Sequence, residues 1–576
     1  MTTALEARQL GARGSRLALG DGDPATTCSP EVAAVLAAIP AWWAARAHTA
    51  GLTGEWLDVE AAINTTAPVA VPATSRSEAI TDATTPHEVG ACYTAALTPG
   101  VRSRHGRHYT PADLAEHMWA MTRRALGFKQ SRRALPGLVL DPAAGAGALL
   151  LPVLREHLTG SRRADPRFTL RTVSNLICGV DADPVAVWLA NVVLAAEMLP
   201  LLEQVPPAAR QPLPALVSVG DGLDITRGSA RAVVMNPPYG RVRLAADDRE
   251  RFAPFLHGHA NLYALFLAAG VEALNGEGVL TALVPTSFTA GRYFSGVRGQ
   301  LAATAPLRDL TFVAERDGVF AGVLQETCLA TFTRTKARKT TIATINGRVS
   351  PVASVPSPRT DGPWLLPRRA DDAALAAGAV SLPLTLADTG WRVSTGPLVW
   401  NRRREDLTAR KPAQGHLVLW AADIDGGAVH RDRARSTLRW LRSAGVADDD
   451  VMTLREPAIL VQRTTAPEQT RRLVVAELSE DTLEKWGGAV VVENHVNVLR
   501  PAAGEDQLIS REALARLLTT PTLDRVVRCI SGSVALSAYE LRAMPLPAAE
   551  VLRRWERFDA GDLEAAVAAT YRSVHA

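Results

Sequence analysis

The residues with the most legible chemistry are Asn236, Pro237, Pro238 and Tyr239, which follow the apolar run Ala232-Val233-Val234-Met235. An exocyclic amino nitrogen on an aromatic ring, adenine's for instance, is a poor nucleophile because its lone pair is delocalised into the ring. A side-chain amide oxygen and a rigidly presented backbone carbonyl can each accept one N–H from it. Together they draw the nitrogen toward a tetrahedral shape and free the lone pair. Prolines fix φ and remove backbone donors, so the carbonyl geometry is preset. A tyrosine at the next position offers a face on which a flat ring can stack. The plainer reading is a strand running into an Asn-Pro turn.

Three upstream segments bear on that choice. Leu138-Val139-Leu140 leads into Asp141-Pro142-Ala143-Ala144-Gly145-Ala146-Gly147, and the apolar stretch Leu149 to Leu154 follows. This is strand, small-residue turn, helix. Glycines let backbone approach a ligand, and the helix offers its positive N-terminus. A second strand, Ile177-Cys178-Gly179-Val180, ends in Asp181; an acid there suits ribose hydroxyls in a nucleotide-binding sheet. The interval from Asp141 exceeds the usual ~20 residues, and the polar stretch Thr159 to Arg167 reads as an insertion. A third strand, Ala215 to Val219, ends at Gly220-Asp221-Gly222. One acid at such a place is more often a helix cap or turn former. Three in succession at strand ends are harder to explain that way.

As a set, these segments resemble the N6-adenine DNA methyltransferases that use S-adenosylmethionine, in the arrangement where cofactor motifs precede the catalytic one and target recognition lies C-terminal. His108-Tyr109-Thr110-Pro111 is similar to the first cofactor motif, and Thr110 would contact the methionine end. The stretch Asp141, Pro142, Ala143, Ala144, Gly145, Ala146, Gly147 resembles the family's cofactor loop, with Ala144 and Ala146 in place of the usual Cys or Ser. The resemblance implies that Asp181 holds the ribose, that Asp221 holds the cofactor's adenine amino group, and that Pro238 lines the same pocket. It implies that Asn236 and the Pro237 carbonyl grip the target N6 while Tyr239 stacks on the extruded base. Phe320 falls where family members place a second aromatic against that base, although a lone Phe is usually core.

The likeness continues through Ser394 to Arg402, Ile459 to Thr465, Val492 to Asn497 and Ile530 to Leu541, segments that resemble modification methylases of type II restriction systems with palindromic targets. It covers roughly residues 100–550. By implication the partners are double-stranded DNA and a separate cognate endonuclease sharing the target site, with the methylase itself a cytoplasmic monomer.

Charge is nearly balanced at +4 over 576 residues, so the chain is no polybasic tail. From Trp391 to Arg472, however, 15 Lys or Arg face 10 Asp or Glu, and the remainder of the chain nets about −1. The positive excess therefore sits C-terminally. Arg402, Arg403, Arg404, Arg410, Lys411 and Arg463, with Arg431, Arg433, Arg435, Arg439 and Arg442, are candidates for phosphate or base-edge contacts; a solvated face is the alternative. Five scattered cysteines have no CxxC spacing and no His partner, which implies no structural metal and a reducing compartment. No Pro-Cys dipeptide is present, and amino-group methylation needs no covalent intermediate. Val185 to Leu202 is apolar but interrupted by Asn191 and Glu197, which suits a buried helix better than a membrane span.

These residues require a particular frame. Residues 100–335 alternate strands and helices, as a Rossmann-like doubly wound α/β sheet does. Strands are expected to begin near Leu138, Ile177, Leu216, Ala232, Val279, Leu310 and Thr327, and the resemblance makes the last antiparallel. Residues 1–99 read as a helical or irregular extension, with Ser29 capping a helix that runs from Pro30 through Ile39. Residues 336–369 read as a linker, and 370–576 as an α+β DNA target recognition domain. Other functions fit the motifs less well. An RNA or protein-glutamine methyltransferase with the same tetrapeptide would be shorter. A fused restriction enzyme would need a carboxylate pair followed by Lys, and residues 1–100 contain no Lys; a DNA-binding defence protein whose methylase fold serves recognition only would not need the intact cofactor and catalytic motifs.

Overall fold

The computed structural model describes residues 29–69, 79–105, 109–128, 135–313, 326–430, 437–465, 469–531 and 535–573. Phe320, His108, Arg431, Arg433 and Arg435 lie outside the described residues. The chain divides into two compact units, one of residues 1–285 and 296–340, the other of 286–295 and 341–576.

Seven strands of the first unit's main sheet are β1 (Val139–Asp141), β2 (Ile177–Asp181), β3 (Val217–Val219), β4 (Ala230–Met235), β5 (Leu274–Pro285), β6 (Leu307–Val313) and β7 (Thr327–Thr333). Their order is β3-β2-β1-β4-β5-β7-β6. β1 runs parallel to β2, pairing Asp141 with Gly179, and parallel to β4, pairing Val139 with Ala232. β7 inserts antiparallel between β5 and β6. The near-continuous apolar runs of β1, β4 and β5 follow from burial on both faces. The order reverses direction between β1 and β4. That switch point is where an open α/β sheet leaves a crevice outside the strand C-termini. This is the Rossmann-like doubly wound sheet expected from the sequence.

The helices that matter for the site are α1 (Pro30–Thr49), α2 (Pro86–Ala96), α3 (Ala112–Ala125), α4 (Leu150–Gly160), α5 (Pro184–Glu203) and α6 (Leu262–Ala273). α5 is apolar on all sides because it is buried on nearly all sides; it is a core helix rather than a membrane span. Asp183 caps it, accepting the Val185 N–H at 2.9 Å, with Pro184 at its first position.

Two expectations need correction, while the insertion read between Asp141 and Asp181 takes a definite form. Ser29 does cap α1, accepting from the Val32 N–H at 3.3 Å, but the helix runs through Pro40 to Thr49. Beyond Pro40 it buries Trp42 and Trp43 almost completely, which offsets the hydrogen bond a helix-interior proline forfeits. The segment between β1 and β2 holds an additional short helix, Pro166–Thr172, capped by Asp165. Residues 336–369 are not a plain linker, since Lys339–Asn346 and Arg348–Pro356 are paired strands. There the Pro and Ser content masked a β-branched alternation.

The second unit holds two larger sheets besides the short antiparallel pair Leu384–Thr385 and Pro545–Leu546. One orders Trp391–Thr395, Val496–Pro501, Ala458–Gln462, Val475–Leu478, Gly427–Val429 and Ile424–Asp425; the other orders Leu407–Thr408, Trp440–Arg442, Gly415–Leu419, Val490–Val492 and Thr453–Leu454. Helices Arg511–Leu518 and Pro521–Ile530 pack their apolar faces into a core with Ile459, Val461, Leu499 and Trp391. The unit is α+β.

Candidate functional site

Four of the singled-out residues stand at the C-terminal ends of four adjacent strands. Asp141 is the last residue of β1 and Asp181 the last of β2; Asp221 follows β3 and Asn236 follows β4. Chain direction and strand order, rather than sequence proximity, gather them on one edge of the sheet.

At the end of β4 the chain leaves Met235, fully buried, for Asn236 and the two prolines. The Asn236 Nδ2 donates to Thr110 Oγ1 at 3.1 Å. Thr110 is 2% exposed and sits just ahead of α3, so its hydroxyl is a fixed acceptor. This bond orients the amide and leaves Oδ1 on the opposite side. The Tyr239 hydroxyl lies 3.4 Å from Asn236 Oδ1 and 3.2 Å from the Leu283 carbonyl oxygen. Its ring meets Tyr263 edge-on at 5.9 Å. Burial raises the phenol's pKa well above its ordinary value, so it is a neutral donor throughout the physiological range.

Beside this tetrad lies the small-residue loop. Gly145 and Gly147 have φ of 50° and 86°, a conformation other residues adopt only under strain. The loop is tied to the sheet by the Ala144 N–H on the Val180 carbonyl at 3.0 Å and by the Gly145 N–H on Asp181 Oδ2 at 2.8 Å. Gly222 approaches so closely that a Cβ there would lie 1.8 Å from the Pro142 carbonyl oxygen. Asp221 accepts the Leu223 N–H at 2.9 Å, and burial raises its pKa.

Asp141 is the informative group electrostatically. Its side chain is 1% exposed. One oxygen accepts the Ala143 N–H at 3.0 Å, while Oδ2 is buried without a partner. Burial, opposed by the Ala143 N–H and aided by the nearby Asp181, pushes its pKa up to about 8. A buried carboxylate oxygen with no partner is costly, and the natural complement is a cationic or N–H-bearing ligand group. The edge thus offers a carboxylate for a cation, a second carboxylate at the next strand end, and a loop narrow enough for backbone to approach.

Several residues that sequence reasoning passed over also belong here. Asn191 on α5 pins β3, accepting from the Leu216 and Val217 N–H groups at 2.8 and 2.9 Å and donating to the Val217 carbonyl. Asp183 accepts from the Tyr93 hydroxyl at 2.6 Å. The only local signal near Tyr93 is the spacing Thr85-x-x-Glu88, which forms a capping box and announces α2 without its contacts.

In the second unit the expected basic residues separate by role. Arg403 is held by both oxygens of Asp448, at 2.7 and 2.9 Å, and by Asp406 at 2.6 Å. The Asp448 carboxyl is drawn down to about 2 by that guanidinium and by the Ala444 N–H. Arg439, 5% exposed, pairs with the fully buried Asp423 at 2.8 Å. Both are structural ion pairs, which removes them from the candidates for phosphate contact. Arg402, Arg404, Arg410 and Arg442 are exposed, and exposed Lys411 lies 5.4 Å over the Trp440 ring. Arg463 donates to the Asn494 carbonyl at 3.1 Å, and its Nε is buried without a partner. Next to it, His495 is gripped by buried Glu493 through Nδ1 at 2.6 Å.

Comparison with known proteins finds similarity to restriction-modification methylases. Residues 223–320, which include the tetrad, match the family described as Eco57I restriction-modification methylase. The Type II methyltransferase M.PstI of Providencia stuartii is 25% identical over 334 residues, 55% of this chain and 65% of that protein. The Type II methyltransferase M.BsuBI of Bacillus subtilis is 23% identical over 335 residues, with the same coverage of 55% and 65%. The chain thus spans just under two thirds of the length of these relatives. The type IIL restriction-modification enzyme MmeI, solved in complex with DNA, shares the fold with a TM-score of 0.51 at 12% identity, over 86% of this chain and 78% of that one.

Proposed function

We propose that this chain is a DNA methyltransferase of a restriction-modification system. It transfers the methyl group of S-adenosylmethionine to adenine N6 in a short, palindromic double-stranded site, and so protects that site from a separate endonuclease. The observation that carries the reading is the placement of Asn236, oriented by Thr110, beside the loop of Asp141 and Gly145 at one sheet edge.

The residues present fit the cofactor. The unpartnered Asp141 Oδ2 suits its α-ammonium group, Asp181 its ribose hydroxyls, and Asp221 its adenine amino group. Ala143, Ala144, Gly145 and Gly147 supply close backbone, and Pro142 and Pro238 supply apolar walls. When bound, S-adenosylmethionine supplies an electrophilic methyl group on a sulfonium centre. Asn236 Oδ1 and the Pro237 carbonyl then accept the two N–H bonds of the target amine, which localises its lone pair. Pro237 and Pro238 hold that carbonyl still, so little reorganisation remains for the transition state. Tyr239 offers its ring face to the extruded base. No protein nucleophile takes part. The exposed Arg402, Arg404, Arg410 and Lys411, with Arg463, contact DNA phosphates or base edges.

The test is to incubate the purified chain with plasmid DNA and S-adenosylmethionine, then map modified bases by sequencing. N6-methyladenine in one recurrent context is expected. Methylated RNA or protein with unmodified DNA would overturn the reading.

A further inference from the structure

Helix α2 lies outside the matched methylase segment and ahead of every motif the resemblance covers, yet one of its faces touches both halves of the site. The helix is firmly started: the Thr85 N–H donates to Glu88 Oε2 at 2.7 Å, and the Glu88 N–H donates to Thr85 Oγ1 at 3.3 Å. His87, Gly90 and Tyr93 follow at intervals of three and therefore share a face. All three are buried.

Toward the cofactor half, the Tyr93 hydroxyl donates to Asp183 Oδ2 at 2.6 Å. The Asp183 N–H in turn donates to Asp181 Oδ1 at 2.9 Å, and Asp181 Oδ2 takes the Gly145 N–H at 2.8 Å. One unbroken chain of hydrogen bonds thus runs from α2 to the glycine loop. Toward the catalytic half, the His87 ring meets the Tyr109 ring edge-on at 4.8 Å. Gly90 gives Tyr109 its place, since a Cβ there would lie 2.4 Å from the Tyr109 hydroxyl oxygen. Tyr109 adjoins Thr110, which orients Asn236.

We propose that α2 is a brace that sets both the ribose-binding carboxylate Asp181 and the Thr110–Asn236 pair, with Tyr93 and Gly90 as positioning residues. The inference rests on the cofactor reading given above. Tyr93 would act through Asp183 on cofactor affinity, and Gly90 through Tyr109 and Thr110 on the chemical step. A residue that served packing alone would shift stability without separating these two quantities.

The experiment uses the full chain. S-adenosylmethionine affinity is measured by calorimetry, kcat and KM by methylation of target DNA, and Tm by thermal melting, for wild type, Tyr93→Phe, Asp183→Asn and Gly90→Ala. Tyr93→Phe keeps the ring and loses one charge-assisted hydrogen bond, so a rise of roughly tenfold in cofactor Kd and KM is expected, with kcat at saturating cofactor within about twofold of wild type. Asp183→Asn, which retains a capping oxygen, should move the same quantities in the same direction. Gly90→Ala should instead lower kcat at saturating cofactor, roughly tenfold. Wild-type Kd in Tyr93→Phe and Asp183→Asn, whatever their Tm, would overturn the brace. A Gly90→Ala chain that loses Tm and keeps kcat would overturn its catalytic arm. Failure of the wild-type chain itself to bind the cofactor would overturn the reading beneath it.

Discussion

Asn236 and Thr110, 126 residues apart in the chain, are joined by a 3.1 Å hydrogen bond from the Asn amide to the Thr hydroxyl. The bond commits the Nδ2 end of the amide to Thr110 and turns Oδ1 the other way, where the Tyr239 hydroxyl approaches it at 3.4 Å. It also links the end of β4 to the segment that starts α3, so two stretches far apart in sequence are held as one unit.

Substitution of Asn236 should therefore separate chemistry from binding. Asn236→Ala removes the acceptor for the target N–H, and methyl transfer is expected to fall below detection while cofactor Kd stays within about threefold. Thr110→Val keeps the shape but frees the amide to rotate, and kcat should fall by roughly tenfold to a hundredfold, the scale of one misoriented catalytic group. Radiolabelled methyl transfer and calorimetry on the same samples decide it; near-wild-type turnover in Asn236→Ala would remove this residue from the mechanism.

Asp141 predicts an inverted stability effect. Its folded pKa of about 8 lies above the ordinary carboxylate value. Below about pH 4 both folded and unfolded forms hold the proton and nothing is lost. As pH rises toward 8 the unfolded form releases its proton first, so the cofactor-free protein loses stability across that window and levels off above it. Asp141→Asn should accordingly stabilise the cofactor-free protein, negligibly near pH 4 and most near pH 8, by on the order of a few kcal/mol, read as a Tm gain that grows with pH. On the proposed cofactor reading the same substitution should abolish cofactor binding, because it removes the acid proposed to complement the ammonium. A Tm gain independent of pH would contradict the assignment.

Much of this edge is legible in sequence because its parts are local. An apolar run ending in Asp141, Asp181 or Asn236 declares a strand and the group at its tip, and the alternation of strands with helices declares the doubly wound sheet. The rest depends on partners far along the chain. Nothing near Tyr93 indicates that it will meet Asp183, 90 residues away. Nothing near Arg403 shows that Asp448 will neutralise it, and an arginine in a basic stretch reads the same whether paired or free. Pro40 reads as a helix end until the burial of Trp42 and Trp43 is known. The strands Lys339–Asn346 and Arg348–Pro356 carry Lys, Arg and Pro on exposed positions, the composition of a tether.

Arg403 and Arg404, adjacent in sequence, should behave oppositely. Arg403→Ala leaves Asp448 and Asp406 without their cation, so it should lower stability by up to about 1 kcal/mol with little change in DNA affinity. Arg404→Ala, at an exposed position, should leave Tm unchanged and weaken DNA binding across all sequences. Its plot of log affinity against log salt should flatten by about one unit of slope, as when one phosphate contact is removed. Fluorescence anisotropy at several salt concentrations distinguishes the two; an unchanged slope in Arg404→Ala would place the phosphate contacts elsewhere.

Tyr239 tests base extrusion. Adenine in a duplex cannot present N6 to Asn236, so it must leave the stack at a cost of a few kcal/mol. Stacking on an aromatic face recovers roughly 1–3 kcal/mol per base, and Tyr239 is the ring beside the amide. Its hydroxyl is engaged with the Leu283 carbonyl oxygen and its edge with Tyr263, so the ring is held from one side. Tyr239→Phe gives up the hydroxyl contact and keeps the face; it should retain most activity. Tyr239→Ala should weaken productive DNA binding or slow methylation by about tenfold or more. A mismatched target base, already partly unpaired, should bind more tightly than the matched duplex, and Tyr239→Ala should recover part of its lost affinity on that substrate. 2-Aminopurine at the target position reports the flip directly, with quenching by the ring relieved in Tyr239→Ala. Equal affinity for matched and mismatched sites, together with wild-type kinetics in Tyr239→Ala, would mean that the base does not stack on this residue.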